Sequence, residues 1–480
     1  MQCIVPGVSH PLHSAAATRV LEAALAASLP PHTLMQRAGL ATARLALALA
    51  PHAHRFWIAC GPGNNGGDGL EAAMHLQQWG KTPLITWLGT PDSVPADARA
   101  SHSRAVSAGV RFVDAPPEDC DACIDAMLGT GASRAPAGRM AEWIARINTL
   151  QVPVLAVDLP SGLNADTGTA AAPCARASHT LSLLTLKPGL YTAQGRDQTG
   201  RVWFESLGAD LADQAPQACL GGAPELVARE HATHKGSYGD VAIVGGAPGM
   251  SGAALLAASA ALQHGAGRVY VVLLDGGNLG VAPDQPELMF RTPEAMDPAT
   301  LTVVAGCGGG GAIAAQLARL LSTAPRLVLD ADALNAVARD SQLATLLRAR
   351  TGRQRETVLT PHPLEAARLL DRTTIEVQQD RPAAARQLAQ QFACTVVLKG
   401  SGTVIAAPAE TPVINPTGNA RLATAGTGDV LAGLIGARLA RGETAFDAAC
   451  AAVWLHGQAA DAWPAGTPLT AGALAQAVAG

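Results

Sequence analysis

The sequence predicts an α/β protein of two successive domains, each a largely parallel sheet wrapped by helices. Three observations carry that expectation. The chain has 480 residues, more than one ordinary core holds, and roughly 100–200 residues per domain suggests two or three units, of which two is the starting count. Two series of short apolar runs alternate with helix-like segments, the pattern of strands buried on both faces. Between the series, around residues 208–230, the pattern lapses into Ala, Pro, Gly and Gln, so a linker is placed at 216–233 between domains 1–215 and 234–480.

Composition narrows the function classes. Hydrophobic residues make up 48% and charged residues 15%, which suits large buried faces rather than disorder. With 34 basic and 38 acidic residues the net charge is -4, so neither nucleic acid nor an anionic membrane is an expected partner, and small molecules are. The N-terminus Met1-Gln2-Cys3-Ile4 lacks the basic flank and apolar run of a signal peptide, and the apolar stretch around 40–50 is broken by Arg44. A cytoplasmic protein is expected, working as a homo-oligomer. Nine cysteines are scattered along the chain, and the one CxxC pair, Cys120 and Cys123, has no second pair or nearby His, so reduced thiols are expected rather than zinc.

Strands of the first domain are expected near 56–60, 84–88, 122–128, 152–157 and 180–186. Those of the second are expected near 241–244, 269–274, 302–305, 327–329, 357–359 and 395–398, with a hairpin strand at 403–406 and helices at 429–439 and 448–462. Neither half repeats at a fixed period.

The first domain's chemistry is expected at strand ends. After 56–60 comes GPGNNGGDG (61–69), followed by a helix-like stretch from Leu70 to Trp79. A turn this rich in glycine brings backbone N–H groups close to an anion at a helix N-terminus, and a nucleotide phosphate is the natural ligand. The paired Asn64 and Asn65 and the embedded Asp68 add groups that a merely structural turn does not need. Two further strand ends carry DAMLGTGASR (125–134) and DLPSG (158–162). In an open α/β sheet, carboxyl ends of strands converge on one crevice, so Asp125 and Asp158 can face the glycine-rich turn, with Arg134 set against a second phosphate. Either Asp alone would more often be a helix cap.

In the second domain NPTGN (415–419) precedes ATAGTGDVLAG (423–433). Gly426, Thr427 and Gly428 open a helix and form an anion hole for a phosphoryl group in flight, while Asp429 either accepts a proton from an attacking hydroxyl or serves only as a dipole partner. Lys399, Gly400, Ser401, Gly402 and Thr403 form a turn suited to a nucleotide diphosphate. His362, between Pro361 and Pro363, is displayed on stiff chain, as a substrate contact or a surface-loop residue. The cluster 306–311 allows close approach of a ligand, and Asp330 borders the crevice or caps the next helix.

Taken in order, GPGNNGGDG, DAMLGTGASR and DLPSG resemble the N-terminal half of the bifunctional NAD(P)H-hydrate repair enzymes. HKGSYG (234–239), GGAPGMSGA (245–253), PHP, KGSGT and GTGD resemble the second half. The resemblance implies a Rossmann-like, doubly wound first domain of YjeF N-terminal type and a ribokinase-like second domain. It implies an isomerase that interconverts R and S hydrates of NADH and NADPH. It also implies a lyase that uses ADP, or ATP in some members, to dehydrate the S form, releasing AMP and phosphate.

Carried over residue by residue, Asn64, Asn65, Gly66, Gly67, Asp68, Gly129, Thr130, Gly131, Ala132, Ser133, Arg134, Ala135 and Asp158 hold the hydrate in the first domain. Asn65, Asp125 and Ser161 hold a potassium ion. In the second, Ala253, Gly308, His362 and Asp429 contact the hydrate, and Lys399, Gly400, Ser401, Gly402, Thr403 and Gly428 hold the nucleotide, with Mg2+ accompanying it. Asp158 and Asp429 are the expected acid-base groups. Cys307 stands where the family usually has Pro, Leu364 where it usually has Gly, and Arg421 and Leu422 enlarge the stretch before Thr-Gly-Asp. The competing reading is a ribokinase-like small-molecule kinase with an N-terminal ligand-binding module, whose phosphate would stay on the product.

Overall fold

The computed structural model describes residues 1–131, 134–211, 214–225, 230–277 and 279–478. It divides into two compact units, Met1–Val5 with His10–Ala218, and Pro6–Ser9 with Cys219–Gly480.

The first unit's sheet uses β1 (Gln2–Cys3), β2 (Arg55–Cys60), β3 (Thr82–Trp87), β4 (Arg111–Phe112), β5 (Ala122–Ala126), β6 (Val154–Val157), β7 (His179–Leu183) and β8 (Arg201–Glu205). Their order is β1-β8-β7-β6-β5-β2-β3-β4. Every pairing is parallel except the edge pair β1–β8. Phe56, Ile58 and Ile124 are fully buried, as strands covered on both faces require. The chain passes from β2 to β3 on one side and returns to β5 on the other, so β2 and β5 flank the switch point where a crevice opens beyond the strand ends.

The helix after β2 begins at Asn64 and runs to Gln78, earlier than the stretch from Leu70 expected from sequence. Asn64, Asn65 and Asp68 therefore stand in its opening turns, not in a loop before it. Packing overrides the poor helix propensity of glycine here: a Cβ on Gly66 would lie 2.1 Å from the Gly61 carbonyl oxygen, and one on Gly61 1.9 Å from that of Met127.

The second unit's sheet uses β9 (Ala218–Leu220), β10 (Asp240–Gly245), β11 (Arg268–Leu273), β12 (Met289–Phe290), β13 (Thr302–Ala305), β14 (Arg326–Leu329), β15 (Glu356–Leu359), β16 (Thr395–Leu398), β17 (Val404–Ala406) and β18 (Val413–Ile414). They lie in the order β12-β11-β10-β13-β14-β15-β16-β17-β18-β9. The run from β12 to β16 is parallel, while β17 turns back against β16 and β18 against β17, making the sheet mixed. Within the stretch read as linker, Cys219 and Leu220 pair in parallel with Val413 and Ile414. That strand escaped sequence reading, as did β1, β4, β8, β12 and β18. Most of these are two or three residues long, too short to show a period.

Helices Ser251–Gln263 and Thr427–Ala440 pack closely on this sheet. A Cβ on Gly433 would lie 2.0 Å from the Ala257 carbonyl oxygen, inside backbone that has no room to yield. Gly433→Ala is expected to destabilise the second unit by about 1–3 kcal/mol. An unchanged unfolding midpoint would show that the two helices slide apart freely.

Candidate active sites

A cavity of about 660 Å³ opens at the switch point of the first unit, its wall including Arg19, Glu22, Asn65, Asp68, Thr130 and Asp158. Asn64, Gly129 and Gly131 also line it, whereas Gly66 and Gly67 are buried behind it in the helix. Arg134 and Ala135 are exposed and away from its wall, and Ala132 and Ser133 lie outside the described residues. Asn65 and Asp158 converge on Gly129: a Cβ there would stand 3.2 Å from Asn65 Oδ1 and 3.2 Å from Asp158 Oδ2.

Asp158 is held in an unusual state. Its φ is 67°, a left-handed conformation that turns the carboxylate back over the strand end. Thr130 N–H donates to Oδ2 at 3.2 Å and Leu183 N–H to Oδ1 at 3.3 Å. The Lys187 ammonium, fully buried, also grips Oδ1. Lys187 further donates to the Leu183 carbonyl at 2.7 Å and Ser182 Oγ at 3.3 Å, so its charge is met on several sides.

Sequence reasoning missed this lysine. Its one signal was position, a cation in Leu186-Lys187-Pro188-Gly189 just beyond a central strand. Across the cavity, burial together with the carboxylates of Asp158, Glu22 and Asp97 pushes the Asp68 carboxyl well up, favouring its neutral form.

Asp125 and Ser161 form a tight buried unit. Ser161 Oγ donates to Asp125 Oδ1 at 2.6 Å and Ser161 N–H to Oδ2 at 2.8 Å. Leu128 N–H donates to Ser161 Oγ at 2.9 Å. Asp125 is wholly buried, and burial raises its pKa against the pull of these hydrogen bonds, with no positive side chain among the described residues to offset it. The buried side-chain amide nitrogen of Asn65 finds no hydrogen-bond partner among the described residues.

In the second unit, Lys399 and Asp330 anchor the site. Lys399 Nζ donates to Asp330 Oδ1 at 2.7 Å, and Thr360 Oγ1 donates to the same oxygen at 2.6 Å. Asp330 is buried, and although it precedes helix Ala331–Arg339 its side chain makes no capping bond. Burial works against the Lys399 ammonium, and the carboxylates of Asp330 and Glu365 outweigh it, leaving the pKa raised. Gly428 adjoins this lysine, since a Cβ there would stand 3.3 Å from Nζ. The backbone of Lys399 is fastened from behind by Arg381, a buried guanidinium that donates to the Leu398 and Lys399 carbonyls at 3.1 Å each. Thr403 Oγ1 closes the turn on the Gly400 carbonyl at 3.1 Å, leaving Ser401 exposed. Nothing in the local sequence marks Arg381, which reaches the turn from another helix.

Helix Thr427–Ala440 starts from Gly426 in the left-handed conformation, with φ 90°. Of the three N–H groups expected in the anion hole, that of Thr427 is turned to the Thr424 carbonyl at 3.4 Å. Asp429 sits in the first turn. Burial, then the nearby Asp330 carboxylate, push its pKa up to about 6, against the opposing pull of a Cys307 hydrogen bond and Lys399. Gly308, with φ 59°, lies against Ala253: a Cβ there would meet that of Ala253 at 2.9 Å.

His362 does more than stand on a loop. Its Nδ1 accepts from Leu364 N–H at 3.1 Å and Glu365 N–H at 3.2 Å, capping helix Pro363–Leu370, and its Nε2 lies 3.3 Å from Glu365 Oε1. NPTGN is likewise structural in its contacts. Thr417 Oγ1 donates to the Trp454 carbonyl at 2.8 Å, and Gly418 N–H to Asp461 at 2.8 Å, tying the segment to helix Ala445–Asp461.

Among the described residues no helix is long and apolar enough to cross a membrane. Residues 31–189 match the family model described as YjeF-related protein N-terminus, and residues 241–478 match that of NAD(P)H-hydrate dehydratase. The Bifunctional NAD(P)H-hydrate repair enzyme Nnr of Escherichia coli is 36% identical over 92% of this chain and 87% of its own length. The ADP-dependent (S)-NAD(P)H-hydrate dehydratase of Neisseria meningitidis is 45% identical over 52% of this chain and 86% of its own. A solved ADP/ATP-dependent NAD(P)H-hydrate dehydratase of Bacillus subtilis, co-crystallized with ATP/Mg2+, is 31% identical over 53% of this chain and 92% of its own, with a TM-score of 0.43. Because the similarity runs through both halves at this identity and coverage, the chain belongs to the family of bifunctional NAD(P)H-hydrate repair enzymes.

Proposed function

We propose that the chain repairs hydrated NADH and NADPH in two steps, with residues 1–215 epimerising the R and S hydrates and residues 234–480 dehydrating the S hydrate at the expense of ADP. The observation that carries the second step is Asp429 in the first turn of a helix whose N-terminus adjoins Lys399. Hydroxide is a poor leaving group. Transfer of the β-phosphoryl of ADP to the hydrate's hydroxyl gives AMP and a phosphate ester; the ring nitrogen's lone pair then expels phosphate, leaving an iminium, and loss of a proton from the adjacent ring carbon restores the reduced nicotinamide. Asp429 takes the hydroxyl proton, while Lys399, Gly428 and the helix N-terminus stabilise charge on the phosphoryl group in transit. The turn Lys399, Gly400, Ser401, Gly402 and Thr403 holds the nucleotide, with Ala253, Gly308 and His362 against the hydrate. Family membership speaks against the kinase alternative, in which the phosphate would remain on the product.

In the first domain, Asp158 is the base and Asp68 the acid. Gripped at Oδ1 by Lys187, Asp158 accepts the hydroxyl proton as the C–N bond of the hydrated ring opens, and neutral Asp68 supplies a proton to the nitrogen. Closure on the other face of the carbonyl gives the opposite epimer.

Asp125 and Ser161, with Asn65 as the third ligand the family suggests, fit a potassium ion: hard oxygens meet at a buried carboxylate that no cation balances among the described residues. Bound there, the ion would supply positive charge beside the hydrate's phosphates. Oδ1 of Asp330 is already met by Lys399 and Thr360, and we place Mg2+ on the nucleotide's own phosphate oxygens.

The test is recovery of reduced-nicotinamide absorbance from mixed R and S hydrates with ADP or ATP. Wild type is expected to convert both epimers fully. The rate should rise with pH through about 6, as the Asp429 carboxyl, held high by burial and Asp330, becomes the ionised base. No recovery with either nucleotide, or a stable phosphorylated product, would overturn the reading.

A further inference from the structure

Arg381 opens helix Arg381–Phe392, and its side chain is buried behind the turn 399–403, with 1% of the residue exposed. Nη2 donates to the Leu398 and Lys399 carbonyls at 3.1 Å each, and Nη1 to Gln378 Oε1 at 2.7 Å. The guanidinium lies directly against Gly400: a Cβ there would stand 2.9 Å from both Nη atoms, and φ is 135°, a conformation that favours glycine. Other groups fasten the rest of the turn. Lys399 N–H donates to the Pro361 carbonyl at 2.9 Å, Lys399 Nζ to Asp330 at 2.7 Å, and Thr403 Oγ1 to the Gly400 carbonyl at 3.1 Å. What Arg381 holds is the peptide between Lys399 and Gly400. In a trans peptide the N–H points opposite to the C=O, so drawing the Lys399 carbonyl back to the guanidinium turns Gly400 N–H the other way. Gly400 is exposed, and this N–H has no hydrogen-bond partner among the described residues.

We propose that Arg381 is a positioning residue for the nucleotide: it aims Gly400 N–H at an oxygen of the ADP diphosphate and sets a buried positive charge behind that contact. This rests on the reading that residues 399–403 hold the nucleotide. Burial lowers the Arg381 pKa to about 10, which leaves the guanidinium charged at neutral pH. Arginine suits the task because its planar fork meets two carbonyls and Gln378 at once. Lys399 does not duplicate it, since its ammonium is engaged by Asp330 and its own carbonyl is the group that Arg381 orients.

The experiment titrates ADP with Mg2+ into the full chain by calorimetry, in wild type, Arg381→Met and Arg381→Lys, with unfolding midpoints and steady-state dehydration alongside. Arg381→Met is expected to weaken ADP binding and raise the KM for ADP by about ten- to hundredfold, the worth of one hydrogen bond to a charged oxygen. The KM for the hydrate and kcat at saturating ADP should hold, because Lys399 Nζ keeps its bond to Asp330. Arg381→Lys keeps the charge and one donor atom, so it should recover part of the affinity, and it decides the matter where the Met variant does not fold. Folded variants that bind ADP as wild type does overturn the inference alone and leave Arg381 as a packing residue. So does a loss spread equally over ADP affinity, hydrate KM and kcat. A wild type that binds no ADP takes down the reading beneath it as well.

Discussion

Asp429→Asn is expected to lower ADP-driven recovery of reduced-nicotinamide absorbance by about 100- to 10,000-fold, the range spanned by removal of a general base. Interconversion of the R and S hydrates should continue at the wild-type rate, because the residues proposed for it all lie in the other unit. The replacement keeps the shape and removes only the proton acceptor. Asp429 also sits in the first turn of a 14-residue helix, where a negative charge is favoured by typically 0.3–1 kcal/mol, so the unfolding midpoint should barely move. A variant that keeps its rate would reduce Asp429 to that dipole partner, and the catalytic base would have to be sought elsewhere. Separate assays of epimer ratio and absorbance distinguish these outcomes in one preparation.

Lys187→Met is expected to have the largest effect on the first unit. The lysine side chain is fully buried and Asp158 is nearly so, so removing the ammonium leaves a carboxylate facing a low-dielectric wall. Breaking one partner of a buried pair destabilises by roughly 3–5 kcal/mol, which lowers the unfolding midpoint of a unit this size by on the order of 10 °C. Epimerisation should fail with it, since the carboxylate proposed as base would lose the ammonium that grips its Oδ1. Adding Asp158→Asn to Lys187→Met should return much of the stability and none of the epimerisation. If Lys187→Met alone left both midpoint and epimerase rate unchanged, the pair would be neither structural nor catalytic.

Much of this molecule was legible before any coordinates. The strands at 55–60, 122–126 and 302–305 lie within a residue or two of where apolar runs placed them, because a strand covered on both faces must be apolar throughout. GPGNNGGDG and GTGD could be read as chemistry because each compresses a strand end, a tight turn and a helix start into one contiguous string. The helix boundary at Asn64 was misjudged because glycines read as loop, whereas here Gly66 and Gly69 let the helix sit against Gly61, Ala126 and Cys60. NPTGN carried a strong signal whose visible use is to fasten its segment to helix Ala445–Asp461. A rule that polar clusters mark sites cannot tell those two uses apart.

The sequence by itself determined the fold class, the family and the stretches of chain from which each site is built, since periodicity and short motifs are local properties of the chain. Only the tertiary structure decided how the buried charges are satisfied. Lys187 meets Asp158 across 29 residues, Lys399 meets Asp330 across 69, and Arg381 reaches the Lys399 carbonyl across 18. A charge taken out of water accepts whichever opposite charge or dipole the packed strands bring within reach, and the choice depends on distance and desolvation rather than on neighbours in sequence.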